Sequence, residues 1–431
     1  MADEAIGPRP ASRAAASSRT KHAEWAIWAL ILLVALGPFL LDAGSADGSW
    51  LRLALYPALL VYVAVTQGAL SEPRQLIVLP IGLGLLLALC LASALWAIDP
   101  STTLRRFGLL AIVAVIIFMV VEGAGTSRTL VALRYSLAVI LVLNYLTVAA
   151  SPLGVHGLAG PEPALVGNWR GLMTHKNSAA IGCAFTILIW LFTAKGGWLR
   201  WTVILGAAYF LLRTQSKTSL GALAIALLFG LAFKLLPRRA WPIAIAAATV
   251  LVALVVVVGQ DHLGEISQYL SQPDALTGRG DIWRIMLSYA STNPLLGAGY
   301  ASFWDIGPAS PVFAYTRDSW VTTIAHGHNG YLDMLVQIGV PGLILGVFVL
   351  IIAPAWRLLV ADRRALCSGP FLAAGLAFYA VRDVTETSFL TGDKLSWVLI
   401  LFILALIGAN TRRRTSTIAA CQRADERRAP R

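Results

Sequence analysis

The chain has 431 residues, of which 58% are hydrophobic and only 13% charged, about half the charged fraction of an ordinary soluble domain. Apolar runs of about 17 to 25 residues, the length that crosses a bilayer core of about 30 Å, recur from residue 25 to residue 410. This excludes a secreted scaffold, a DNA-binding module, a cytosolic enzyme and, because the runs do not alternate with polar residues, an outer-membrane barrel; the formal charge of +12 must first be weighed as a topology signal.

Residues 1–24 are polar, rich in Ala and Ser, and carry Arg9, Arg13, Arg19 and Lys21, the composition of a disordered cytoplasmic tail. The first apolar run, Trp25 to Leu41, is followed by Ala43, Gly44 and Ala46 as a signal peptide would be, but its long polar leader and its length predict a retained helix. Further spans are predicted near 51–67, 76–97, 107–121, 129–150, 177–194, 199–212, 219–236, 241–259, 330–353, 370–385 and 395–410. The expected fold is therefore all-α, a polytopic integral membrane protein of about twelve transmembrane helices, with helices one to nine in 25–259 and ten to twelve in 328–410. An even count puts both termini on one side. That side carries Arg74, Arg128, Lys195, Arg200, Lys234, Arg238, Arg239, Arg357, Arg363, Arg364 and the arginines of a basic tail, 411–431, which makes it cytoplasmic. The positive charge is mostly topology and makes no case for nucleic acid. Four cysteines, Cys90, Cys183, Cys367 and Cys421, lie far apart without metal-ligand spacing and read as packing residues.

Three external stretches exceed the hairpins elsewhere: 97–106, 151–176 and, much the longest, 260–327. A loop of about 68 residues between helices nine and ten is functional more often than connective. It holds Trp283, Tyr289, Tyr300, Phe303, Trp304, Phe313, Tyr315 and Trp320 among the acids Asp261, Glu265, Asp274, Asp281, Asp305 and Asp318. Aromatic faces beside carboxylates suit sugar rings, and aromatics equally gather at membrane interfaces.

Three segments combine residues that can carry chemistry. Ala325-His326-Gly327-His328-Asn329-Gly330-Tyr331-Leu332-Asp333 closes the long loop and opens a membrane helix. Asn329 is the expected N-cap, which sets His328 against the positive end of the helix dipole, where a neutral, proton-accepting imidazole is favoured. The alternative is that His326 and His328 are interfacial residues that serve only the cap. Asp333, one turn on, orients the imidazole or a substrate hydroxyl, or merely faces the bundle interior.

The second segment, Thr277-Gly278-Arg279-Gly280-Asp281-Ile282-Trp283, places Arg279 between two glycines that let a ligand approach, with a guanidinium fork suited to phosphate. Arg213 and Lys217, around Thr214-Gln215-Ser216, add cations in an external turn, and Arg105, Arg106 and Arg170 share that side. Cations on the face that normally avoids them fit a membrane-delivered diphosphate; snorkelling to lipid headgroups is the alternative. The third segment, Asn168-Trp169-Arg170-Gly171-Leu172-Met173-Thr174-His175-Lys176-Asn177, mixes cations, amides and a histidine at an interface. Phosphate-loop, serine-hydrolase and zinc-protease signatures are absent, and the external acids lack an Asp-x-Asp pattern. A metal-independent reaction is favoured and no cofactor is expected.

Together these pieces resemble the bacterial O-antigen ligase and O-antigen polymerase superfamily. The marks are Arg170-Gly171 through His175-Lys176-Asn177, Ser216-Lys217, Gly278-Arg279 with Trp283, Asn293-Pro294-Leu295-Leu296-Gly297-Ala298-Gly299, and His328-Asn329 leading to Gly339-Val340-Pro341-Gly342. The last two are the most specific, and the His-Lys-Asn form is most similar to the exopolysaccharide polymerase branch. The resemblance implies an inverting, metal-independent glycosyltransferase of the bacterial inner membrane, acting at the periplasmic face on an undecaprenyl-diphosphate-linked glycan donor. By it, His328 activates the acceptor hydroxyl, while Arg279 and Lys217 bind the diphosphate; Lys217 stands where the family has arginine, keeping the charge but not the planar fork. Arg170, His175, Lys176, Asn177, Arg213, Trp283, His326, Asn329 and Asp333 are then expected around the substrate.

The function expected is polymerisation of lipid-linked repeat units. A ligase that moves finished glycan to lipid A core or another acceptor would share the site. A transporter or lipid-linked glycan flippase is the alternative of another class, but such folds usually show two similar halves and ionisable groups at mid-membrane. By resemblance the partners are membrane lipid, a flippase and a chain-length regulator.

Overall fold

The computed structural model describes residues 10–40, 50–69, 71, 78–157, 165–241, 279–316, 321, 324–361 and 368–426. Among these the chain is all-helical, apart from one isolated antiparallel bridge between Val155 and Trp169. Apolar runs become helices because no water in a bilayer can satisfy a backbone N–H, so each segment must bond its own. The helices are α1 (Pro10–Leu40), α2 (Trp50–Gln67), α3 (Ile81–Ala92), α4 (Pro100–Ala150), α5 (Lys176–Thr193), α6 (Trp198–Thr214), α7 (Lys217–Leu235), α8 (Arg279–Thr292), α9 (Gly330–Val347), α10 (Ala353–Val360), α11 (Gly369–Arg382) and α12 (Leu395–Glu426). Five stretches are long and apolar enough to cross a membrane: Ser17–Gly37, Pro100–Ala150, Lys176–Thr193, Lys217–Leu235 and Gly330–Val360. Ala54–Gln67, Ile81–Leu95 and Leu395–Asn410 are shorter apolar helices. The predicted span 241–259 lies outside the described residues beyond 241; every other predicted span has a helix in its range.

Helix α4 covers two of the predicted spans in one run. Its 51 residues would extend about 76 Å at 1.5 Å per residue, far beyond a bilayer. Gly125, at φ 72 and ψ 162, interrupts it between the predicted spans 107–121 and 129–150. In the centre of the bundle, α5 is buried on every side from Ala179 to Trp190, the mark of a helix surrounded by others. Phe185 meets Phe371, Phe378 and Tyr379 of α11 there, in edge or tilted contacts, and Trp397 to Ile403 of α12 are buried as well. Cys90 and Cys183 are buried and free, while the side chains of Cys367 and Cys421 lie outside the described residues.

The long loop has structure of its own. Ile282, Ile285, Met286 and Tyr289 recur at the 3–4 residue spacing of one helix face, and they form the buried side of α8. They pack with Phe303, Trp304, Val312 and Val336 into a small separate core. Tyr289, Phe303 and Trp304 are therefore committed to packing, neither open to a sugar ring nor lying at a headgroup. Arg106 likewise does not reach for lipid: it donates to the carbonyls of Ala301, Trp304 and Asp305 and to the Asp305 carboxylate at 2.8 to 3.2 Å. Residues 260–278, 317–320 and 322–323, with Asp261, Glu265, Asp274, Asp318 and Trp320, lie outside the described residues.

The two most specific sequence motifs meet in space. Gly339, at φ 70 and ψ −175, breaks α9, and the freed backbone groups are taken by the other motif: Val340 N donates to Pro294 O at 2.7 Å and Ala298 N to Val336 O at 2.8 Å. A Cβ on Gly339 would collide with the Leu295 carbonyl. The conformation is also one that is essentially confined to glycine, costing about 1–3 kcal/mol for other residues. Gly339→Ala is therefore expected to lower the thermal midpoint of the purified protein in detergent, whereas Gly221→Ala, in open space on α7, is expected to leave it nearly unchanged. An equal effect of the two would show that the joint is not strained.

Candidate functional site

Four separate parts of the chain converge on one carboxylate, Glu386, in the turn between α11 and α12. From the start of α5, Asn177 Nδ2 donates to Glu386 Oε1 at 2.7 Å, and its Oδ1 accepts from Ser216, the N-cap residue of α7, at 2.9 Å. From the start of α8, Arg279 Nη2 donates to the same Oε1 at 2.6 Å. From α11, Arg382 Nη2 lies 3.7 Å from Oε2. From the loop before α9, His328 Nδ1 lies 3.5 Å from Oε2, at the outer limit of a hydrogen bond. Glu386 is 4% exposed and Arg279 15%, so these charges act on one another with little screening by water.

Local chemistry explains why the loops arrive there. Asn329 caps α9 as expected, its side chain accepting from Tyr331 N and Leu332 N at 3.1 and 3.0 Å. Gly330 N donates to both Asp383 O and Glu386 O, at 2.8 and 3.0 Å, an approach so close that a Cβ on Gly330 would strike the Asp383 carboxylate. His328 itself sits at φ 50, which turns its ring back over Glu386. The His326 ring is centred 4.3 Å from that of His328. His175 caps α5, its Nδ1 accepting from Asn177 N at 3.2 Å.

Burial pushes the His175 imidazole down to about 4, with Glu386 opposing and His156, His328 and Lys176 adding to the fall. Burial likewise holds His326 well below its ordinary value, with Lys394 and His328 acting in the same direction. Both rings are thus neutral near pH 7. Burial alone would raise the Glu386 carboxyl, but the facing His328 imidazole and the charges of Arg382 and Arg279 outweigh it and hold the group well below the carboxylate range.

The remaining expected site residues are placed as follows. Lys217 opens α7 beside buried Ser216, with its own side chain exposed. Arg213 lies over the Trp169 ring, 5.0 Å from its centroid. Arg170 donates to Leu153 O and Thr174 O at 2.7 and 3.3 Å, bracing its own loop. Lys176 donates through its backbone N to His156 Nε2 at 3.2 Å and through Nζ to Gln215 O at 3.4 Å. Trp283 Nε1 donates to Gly327 O at 3.0 Å. Asp333, expected either to orient the imidazole or a hydroxyl or to face the bundle interior, is buried and receives Trp304 Nε1 at 2.7 Å, Gly327 N and the Thr387 hydroxyl. It pins the histidine loop in place because each of its oxygens is already engaged.

Sequence reading missed Glu386, as well as Arg382 and Ser216 as partners in the cluster. The available signal was a short charged run, Arg382-Asp383 and Glu386, between two apolar helices, which is costly at a membrane unless it is paired. His326, His328 and Glu386 bring one ligand atom each within 4.8 Å of one another. A divalent cation there would meet two guanidiniums already on the same carboxylate, so the grouping is better suited to handling a proton and an anion.

Residues 201–347 match the family of O-antigen ligases, a stretch that includes Ser216-Lys217, Arg279, the joint at 293–299 and His328, and that ends before Glu386. The chain is also 29% identical over 265 residues to the exopolysaccharide production protein ExoQ of Rhizobium meliloti (strain 1021), an alignment covering 58% of this chain and 60% of that protein. The described residues include five stretches long and apolar enough to cross a membrane, and over these two partial matches the chain is similar to O-antigen ligases and to an exopolysaccharide production protein, spanning 60% of the latter's length.

Proposed function

We propose that the protein is a polymerase that joins undecaprenyl-diphosphate-linked oligosaccharide units at the periplasmic face of the bacterial inner membrane. The observation that carries this reading is the meeting of a guanidinium, Arg279, and an imidazole, His328, on one buried carboxylate. Transfer of a sugar from a diphosphate needs a cation where negative charge develops on the leaving group and a base where the acceptor loses its proton. In the step proposed, the acceptor hydroxyl oxygen attacks the anomeric carbon and its proton passes to His328. The bond from that carbon to the diphosphate oxygen breaks, and the electron pair leaves with the polyprenyl diphosphate held by Arg279. Attack opposite the leaving group inverts the anomeric centre. Arg279 supplies the charge stabilisation that a metal supplies in other transferases, with Lys217 as a second cation at the site's edge.

The name of the matched Rhizobium protein, an exopolysaccharide production protein, favours a role in making exopolysaccharide, while the family description, O-antigen ligase, favours the runner-up, a ligase, for which lipid A core is the acceptor we propose. The reading places both termini in the cytoplasm and includes a flippase and a chain-length regulator as partners. The test is to give purified protein in detergent a polyprenyl-diphosphate-linked oligosaccharide, with and without lipid A core, and to separate the products by size. A ladder of multiples without the core, unchanged by chelator, is the expected result. A single shift that requires the core would make the protein a ligase, and activity lost to chelator and restored by magnesium would remove the metal-free step.

A further inference from the structure

We propose that Glu386 is a positioning residue for this transfer, a shared anchor that orients the donor-binding guanidinium of Arg279 and the base His328 together. The inference rests on the functional reading above. The two oxygens of the carboxylate divide the work. Oε1 receives Arg279 and Asn177 at 2.6 and 2.7 Å, which fixes one edge of the guanidinium and leaves its other donors for a phosphate. Oε2 faces Arg382 at 3.7 Å and His328 Nδ1 at 3.5 Å.

The Nδ1 atom of His328 is buried and makes no hydrogen bond among the described residues, with Glu386 Oε2 facing it at 3.5 Å, although the side chain as a whole is 22% exposed. A carboxylate against Nδ1 makes that nitrogen the proton carrier, so Nε2 is left to accept from a ligand. The 3.5 Å separation suits a contact that tightens when the ring becomes charged, as catalytic hydrogen bonds do when substrate binds. The other charged or titratable groups around the pair of His328 and Glu386 are His175, His326 and Asp333 by the imidazole and Arg279 and Arg382 by the carboxylate, with Lys394 beside His326. Among the described residues Asp333 is the other carboxylate within this set, and both its oxygens are engaged. Mere anchoring does not account for Glu386, because a buried ion pair is seldom more stabilising than well-packed apolar side chains. A carboxylate is required if an imidazole and a guanidinium must both be aimed.

The test compares the full-length wild type with Glu386→Gln and Glu386→Asp, measuring donor KM, kcat and the thermal midpoint in detergent. Glutamine keeps the shape and an acceptor for Asn177 but loses the charge. It is expected to lower kcat about 10- to 100-fold, the usual range when a carboxylate behind a working histidine is lost, and to raise donor KM several-fold. Aspartate keeps the charge and is expected to recover a large part of kcat. Wild-type kinetics in Glu386→Gln would overturn the proposal. So would equal losses in both variants that track a fall in thermal midpoint, since that marks a structural role. A folded wild type that transfers no glycan would overturn the functional reading itself, and this role with it, a result distinct from the other two.

Discussion

Alanine in place of His328 is expected to abolish the product ladder while the protein still inserts and purifies with a near-normal thermal midpoint. The expectation follows from what the ring does and does not hold. Loss of a general base costs about 10²–10⁴-fold in turnover, whereas the imidazole's polar contact with the fold is a long 3.5 Å approach to Glu386, beside a ring contact with His326. Alanine carries the same Cβ at this positive φ, so truncation adds little backbone strain, and Asn329 keeps the cap on α9. His326→Ala is the informative companion. Its ring leans against that of His328, centroids 4.3 Å apart, so a loss of about tenfold through misplacement of the base is expected, well short of abolition. Near-normal product from His328→Ala would transfer the role of base elsewhere, with Glu386 as the next candidate to replace.

Arg279→Ala is expected to lose donor use by more than about 10²-fold, and Arg279→Lys to recover only part of it. Lysine restores the charge but offers a point cation in place of a planar fork that can hold Glu386 and a diphosphate at once. Truncation to alanine carries a second cost: it leaves the Glu386 carboxylate, 4% exposed, with Arg382 as its remaining guanidinium. Breaking a buried pair in this way typically destabilises by about 3–5 kcal/mol, so the thermal midpoint must be measured alongside the kinetics. The useful comparison is Lys217→Ala. With its side chain exposed, it is expected to change the thermal midpoint little and donor KM by less than Arg279→Ala does. Equal activity in all three variants would identify these cations as headgroup contacts.

Most of the helices were legible in the hydropathy, because a bilayer forces a run of apolar residues to satisfy its backbone internally and leaves few alternatives. The break in α4 was legible as well, since 51 continuous helical residues cannot fit one crossing. Less legible was the long loop. Its aromatics were open to two readings, and for Tyr289, Phe303 and Trp304 a third prevailed, since they close a small core against α9, while Phe313 and Tyr315 are exposed. The 3–4 spacing of Ile282, Ile285, Met286 and Tyr289 carried that signal, although a mostly polar segment disguised it. Arg106 and Asp333 show the same limit. Each is a charged residue in a plausible place for a ligand, and each is instead saturated by backbone or side-chain groups of the protein itself.

By itself, then, the sequence determined the membrane class, most of the helical segments, and that Arg279 lies within the long loop and His328 at its end, because composition and short spacing act along the chain. Only the tertiary structure decided that these residues share Glu386. That carboxylate lies in no motif, and its bonds to Asn177 and Arg279 span 209 and 107 positions. A buried charge chooses its partners by distance in three dimensions, since the strength of the interaction depends on separation and local dielectric rather than on order along the chain.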